Sequence, residues 1–307
     1  MVLKMKFNLR NVGIIKEAEI KFDGLTVIAG ENDTGKTTLG KYLYGSILNK
    51  SLGISLDESL LKTHSENAHY SLEYSDNEEQ IKQVIFIDSP SFLDMFSYIK
   101  NAALLFLQRK LSFNHIDAHR TDLVLLLSQV KDEDYQYKDL YRQIEQIIDG
   151  QMYYDKEQDD IFYQKNHKKL KDKLFQMKDT ANGIKMFGYL QILCLNKSIE
   201  KNTLLILDEP EVHLHPKWQL KYAEILTQLV KTGVKILVNS HSPYMIEALE
   251  LFSQQNGILS NFYVAKSGDN GTEMIILNNN LEAIYKTLSE PFSQLEEISL
   301  REGCLEW

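Results

Sequence analysis

The chain reads as an α/β protein: a mixed sheet with an antiparallel β layer, flanking helices and a mainly helical insert. Three observations predict this. Residues 25–29, 203–207 and 234–239 are short apolar, β-branched runs of the kind buried on both faces in a parallel sheet. Each is followed by a polar loop and then a helical pattern, the order found in α/β units. Residues 6–11 and 15–22 instead alternate polar and apolar side chains, as a half-exposed antiparallel pair does.

From the N-terminus, the alternating segments form a hairpin about the turn Asn11-Val12-Gly13 and lead into the strand at 25–29. Gly30-Glu31-Asn32-Asp33-Thr34-Gly35-Lys36-Thr37 follows and fits G-x-x-x-x-G-K-[ST], with an amphipathic helix from Thr38 to Leu48. Glycines let backbone N–H groups close on a polyphosphate without Cβ atoms in the way, and the next helix offers its positive end to the same anion. Gly30, Asn32, Asp33, Thr34, Gly35, Lys36, Thr37 and Thr38 are therefore the candidate nucleotide-binding residues. Lys36 reaches the β and γ phosphates and counts as catalytic too, while the Thr37 hydroxyl is a candidate Mg²⁺ ligand.

Residues 49–171 are expected to form an insert. A polar linker leads to strands near 69–74 and 83–87, the second ending at Asp88-Ser89-Pro90. Helical patterns follow at 92–111, 119–130 and 137–148, the last stopped by Gly150, and 152–154 with 161–163 reads as a hairpin. No heptad series is sustained here, which argues against a coiled-coil arm.

The strand at 203–207 ends in Asp208 and Glu209, at the carboxyl end where open α/β sheets bind ligands. Asp208 is the second candidate metal ligand, and Glu209 the general base that polarises the attacking water. His241 follows the strand at 234–239 and is placed to bond a γ phosphate or to orient Glu209. A helix at 244–251, strands at 261–265 and 273–277 and a helix at 281–288 complete the sheet lobe, before a tail at 292–307 that ends in Trp307. The expected organisation is a core lobe of 1–48 with 172–280, an insert of 49–171, and a C-terminal helix and tail of 281–307.

Hydrophobic residues make up 43% and charged residues 25% of the 307, the balance of a soluble globular chain. No apolar run is long enough to cross a membrane and the first residues lack a secretory core, so the expected location is cytoplasmic with no membrane partner. Cys194 and Cys304 have neither disulfide nor metal-ligand spacing, and Cys194 reads as core packing. A net charge of −9 disfavours general binding to a phosphate backbone. The exception is the run that begins at Lys165 and ends at Lys178, six lysines against one acid, which we read as a solvated face in preference to a nucleic-acid contact.

On these residues the chain resembles the ABC-type P-loop ATPases, in the soluble branch related to SMC, RecF and OLD-family proteins. The resemblance covers roughly residues 3–48 and 172–278, and its most specific element is Asp208-Glu209-Pro210-Glu211-Val212-His213-Leu214-His215-Pro216. His213 and His215 suggest metal binding, but without a third ligand they read as loop packing. The resemblance implies an ABC-ATPase-like mixed sheet, ATP and Mg²⁺ as ligands, and a head-to-tail dimer that sandwiches two ATP molecules. It also implies a signature turn at residues 180–185, placing Asn182 and Gly183 in trans on the partner's ATP; where the family has serine, this chain has Ala181 or Asn182. The family's glutamine after the insert's first strand is replaced by Asp88 or Ser89. Some relatives carry a Toprim nuclease domain after the ATPase; with scattered acids and a short helix and tail after His241, none is expected here. Stand-alone relatives resemble AAA-type ATP-binding proteins of bacterial anti-phage systems, in which a separate effector does the damage. The resemblance leaves two alternatives: a DNA-repair or DNA-sensing clamp closing through the lysine run, and, less favoured, a transporter nucleotide-binding subunit.

Overall fold

The computed structural model describes residues 5–52, 67–75, 80–109, 118–129, 136–166, 173–278 and 281–288. In chain order the first elements are β1 (Met5–Val12), β2 (Ile15–Phe22), β3 (Leu25–Ala29), α1 (Lys36–Leu52), β4 (His69–Tyr74), β5 (Gln83–Ile87), α2 (Phe96–Arg109), α3 (Ala118–Leu127) and α4 (Lys138–Ile148). Then come β6 (Gly150–Asp155), β7 (Asp160–Lys165), β8 (Leu174–Gln176), α5 (Asn182–Leu195), β9 (Thr203–Asp208), α6 (Pro216–Lys231), β10 (Lys235–Ser240), α7 (Pro243–Asn256), β11 (Ser260–Gly268) and β12 (Gly271–Ile276).

Among the described residues nine strands form one mixed sheet in the order β4-β1-β2-β12-β11-β3-β10-β9-β5. From β11 to β5 every neighbour pair is parallel, and the apolar runs of β3, β9 and β10 lie at the centre because both of their faces must be covered. The alternating segments β1 and β2 pair antiparallel, as their pattern predicts. A second sheet, β6-β7-β8, is antiparallel throughout.

The two faces of the central strands feed two apolar clusters. Ile28, Phe86, Leu204, Ile206 and Leu237 pack with Leu39, Leu43 and Ile47 of α1 and with Phe7 and Ile20 of the antiparallel layer. Gly40 allows α1 to lie this close, since a Cβ there would stand 2.8 Å from the Phe86 ring. On the other face, Leu25, Val27, Leu205 and Val238 pack with Leu127 of α3, Ile144 of α4, Leu190 of α5, Leu226 of α6 and Ile246 of α7. Leu205 is fully buried there. Leu205→Ala is therefore expected to cost about 2–5 kcal/mol, read as a lower urea midpoint with an unchanged slope.

Several expectations are corrected. β4 and β5, taken from the segment 49–171, are the two edge strands of the large sheet, so that segment is not wholly a lobe apart. Val12 pairs with Ile15, which makes the hairpin turn Gly13-Ile14 and not Asn11-Val12-Gly13. Asp149, at φ 52°, takes the left-handed cap of α4 in place of Gly150. Gly150 opens β6 instead, where a Cβ would stand 2.4 Å from the Gln164 carbonyl oxygen. The helix expected at 92–111 is a 3₁₀ turn over 90–95, capped by Ser89, followed by α2. The lysine run ends β7 and supplies β8 and a 3₁₀ turn, so its described part is no single face; Lys168, Lys169 and Lys171 lie outside the described residues. So do Cys304, Trp307 and the rest of the tail, while Leu281 and Ile284 at the C-terminal helix bury against the helical side of the sheet. Among the described residues no helix is long and apolar enough to cross a membrane.

Candidate active site

Parallel register brings three distant strand ends together. Ala29 pairs with Ser240, and Asn239 with Asp208, so the glycine-rich loop, the Asp208–Glu209 pair and His241 all leave the carboxyl ends of adjacent central strands. The loop turns on Asp33 at φ 59° and Gly35 at φ 85°. Only glycine suits the second position, because a Cβ would also meet Ile15 at 2.7 Å. Asn32 and Asp33 are exposed on the rim, Gly30 and Thr34 are buried, and the Thr34 hydroxyl donates to the Glu31 carbonyl at 2.8 Å. Thr38 is half-buried in the first turn of α1.

Lys36 is buried, and its ammonium donates to the carbonyls of Gly30 at 2.8 Å and Glu31 at 2.5 Å. It stands 4.0 Å from Glu209 Oε1. Burial pulls its pKa below the usual lysine range, and the neighbouring Glu209 and Asp208 pull the other way. The Thr37 hydroxyl donates to Asp208 Oδ2 at 2.6 Å, across 171 residues of sequence. Asp208 Oδ1 accepts from Asn239 Nδ2 at 2.7 Å, and the same amide donates to the Lys36 carbonyl at 3.1 Å. Burial pushes the Asp208 carboxyl upward against these two hydrogen bonds.

Glu209 follows with φ 49°, a backbone region that a non-glycine residue rarely enters, and its N–H donates to the Asn239 carbonyl at 2.9 Å. His241 Nδ1 lies 3.5 Å from Glu209 Oε1 and 3.6 Å from Glu211 Oε1. Ser242 caps α7, with Pro243 in its first turn. The structure thus gathers Lys36, Thr37, Asp208, Glu209 and His241 into one cluster. Asn182 and Gly183 lie outside its contacts, at the start of α5, where a Cβ on Gly183 would stand 3.2 Å from the His213 carbonyl oxygen; α5 packs against β6, α4 and the 90–95 turn. Asn182 Oδ1 accepts from Lys185 Nζ at 3.1 Å, and Lys185 pairs with Asp94 at 2.6 Å.

Two residues of the cluster escaped the sequence analysis. Asn239 ties Asp208 to the phosphate loop, and its signal was a polar side chain at the end of an apolar strand. Glu211 is the second acid of the Asp208–Pro216 motif, and three donors of the His241 turn converge on its Oε1. His215, by contrast, only caps α6, accepting from the Lys217 N–H at 3.3 Å. Among the described residues no group of three His, Cys, Asp or Glu side chains is placed to hold a metal by itself.

Asp88 directly follows β5 and accepts from His119 at 3.1 Å and from Arg120 at 3.0 and 2.7 Å. Burial alone would raise its carboxyl, but these hydrogen bonds outweigh it and hold the pKa down to about 2. A depressed acid stabilises the fold above its unfolded pKa and loses that stability as pH falls through the folded value. The cluster should therefore contribute about 2 kcal/mol near neutrality, lost between roughly pH 4 and pH 2. Urea midpoints of the parental chain and Asp88→Asn are expected to differ at pH 6 and to converge as pH falls through that window.

A glycine-rich phosphate loop, an Asp-Glu pair and a histidine at adjoining ends of a mixed sheet define a P-loop ATPase fold of ABC type. Residues 184–246 match the family model described as the AAA ATPase domain, AAA_15. Over 94 residues, 31% of this chain, the sequence is 29% identical to the Old nuclease of Escherichia phage P2, and the match spans 15% of that relative's length. Two solved structures share the fold. An Smc head bound to the C-winged helix domain of ScpA aligns at 13% identity over 91% of this chain and 99% of that one, with a TM-score of 0.52. An Smc head with an extended coiled coil, bound to the C-terminal domain of ScpA derived from Pyrococcus furiosus, aligns at 14% identity over 94% and 99%, with a TM-score of 0.51. Fold, motif and matched segment together fit an ABC-type P-loop ATPase of the SMC, RecF and OLD-related branch.

Proposed function

We propose that the chain binds ATP with Mg²⁺, hydrolyses it, and uses an ATP-dependent head-to-tail dimer to regulate a separate effector protein in bacterial anti-phage defence. The observation that carries the catalytic part is the Thr37–Asp208 hydrogen bond, completed by Asn239. A hydroxyl and a carboxylate 2.6 Å apart at the mouth of a phosphate loop are the hard oxygen donors that Mg²⁺ prefers, so Thr37 and Asp208 would hold it. When bound, the ion supplies charge neutralisation at the phosphate oxygens.

The remaining roles belong to the chain's own residues. Lys36 is a cation already steered into the loop by the Gly30 and Glu31 carbonyls, and it turns to the phosphates when they enter. Glu209, partly open to solvent beside Lys36, takes the proton of the attacking water. His241 meets the γ phosphate from the neighbouring strand end. Asn182 and Gly183, which take no part in the contacts of this cluster, act on the partner's ATP. The core lobe in this reading is 1–48 with 172–280, widened by β4 and β5, and the protein works in the cytoplasm. The test is phosphate release from ATP by the full chain with Mg²⁺. Release that stops on chelating the ion supports the proposal, and none above background overturns it.

A further inference from the structure

We propose that Glu211 is a positioning residue of this site: its buried carboxylate fixes the Ser240–Ser242 turn and holds the His241 ring by its Nδ1 edge, so that Nε2 faces the open side where the γ phosphate arrives. The inference rests on the reading of His241 as a phosphate contact. Glu211 is 3% exposed, and its Oε1 accepts from the Ser240 hydroxyl at 2.7 Å, the His241 N–H at 2.8 Å and the Ser242 N–H at 3.2 Å. Burial pushes the Glu211 carboxyl upward and leaves Oε2 without a hydrogen-bond partner among the described residues, while the three donors on Oε1 favour the anion against it. The turn itself is braced from behind, because Ser242 Oγ donates to Gln219 at 2.7 Å and Gln219 donates to the Leu214 carbonyl at 3.0 Å.

Holding the turn does not by itself need a charge, since an amide oxygen accepts the same three bonds. What the carboxylate adds is a negative charge 3.6 Å from His241 Nδ1, matched by Glu209 at 3.5 Å. Both separations are just too long for hydrogen bonds, and Nδ1 is buried without another partner among the described residues. Catalytic hydrogen bonds are often long before substrate binds and tighten in the loaded complex. Two carboxylates beside Nδ1 favour a proton on that nitrogen, which fixes which edge of the ring turns inward. Nε2, the other neighbour of Cε1, is then the nitrogen free to meet the phosphate.

The test compares the parental chain with Glu211→Gln, using long-range ¹⁵N–¹H correlation on histidine-labelled protein and assigning His241 from the signal lost in His241→Gln. In the parental chain His241 should carry its proton on Nδ1, and in Glu211→Gln the proton should move toward Nε2. Identical His241 nitrogen shifts in the two proteins would overturn the proposal, with or without any ATP turnover. Should Glu211→Gln fail to fold, Glu211→Asp draws the charge back by one methylene and is read in the same way. In turnover, Glu211→Gln should lower kcat about tenfold or more at nearly unchanged KM. Parental kcat in that variant means that Glu211 only braces the turn, and the proposal falls. Absence of turnover in the parental chain overturns the hydrolysis reading, while the spectra still decide Glu211.

Discussion

Lys36→Ala should fold and yet lose ATP affinity by a factor of at least about 100. Each charge-assisted hydrogen bond from an ammonium to a phosphate contributes about 1.5–3 kcal/mol, and Lys36 is placed to make two. Two such bonds amount to about 3–6 kcal/mol, which is two to four powers of ten in Kd. The substitution also takes a donor from the carbonyls of Gly30, which is buried, and Glu31 at the carboxyl end of the central strand β3, so some loss of stability accompanies the loss of affinity. Titration calorimetry with ATP and Mg²⁺ checks the prediction, with the melting temperature as a control for folding. Parental affinity in this variant would remove the phosphate loop from the site.

The second large effect is in turnover. Glu209→Gln is expected to keep ATP binding and to lower kcat by about 10² to 10⁴, the range attributed to a positioned general base. Glutamine keeps the shape and the left-handed backbone cost of position 209 but takes no proton. It also removes a negative charge 4.0 Å from the Lys36 ammonium, which leaves more of that charge for the phosphates. Trapped in the ATP state, the variant should accumulate dimer in sedimentation velocity when ATP is present and return to monomer when it is removed. Hydrolysis at the parental rate would take the base role from Glu209, and a monomer that ignores ATP would take away the head-to-tail dimer.

The parts of this site legible in the sequence were those written as short contiguous patterns. Gly30 to Thr37 announces itself because its function lies in backbone geometry that glycine spacing encodes. Asp208 and Glu209 were visible because an apolar strand ended in two acids. Asn239 and Glu211 were harder to see because each acts on partners far away in sequence: Asn239 on Asp208, 31 residues off, and Glu211 on the Ser240–Ser242 turn, about as distant. A polar residue at a strand end or the second acid of a motif has many ordinary uses. Only the contact selects one.

The same division runs through the fold. Local chemistry alone determined the strand–loop–helix order, the central apolar strands and the hairpin β1–β2, since burial on two faces, alternation and glycine-rich turns are properties of neighbours in sequence. Tertiary structure decided that β4 and β5 join the large sheet, that Asp149 caps α4 while Gly150 makes room for Gln164, and that Asp88 is held by His119 and Arg120. Each of these depends on which distant surface arrives at a given strand edge or helix end, and that choice is made by the packing of the whole chain rather than by any window of it.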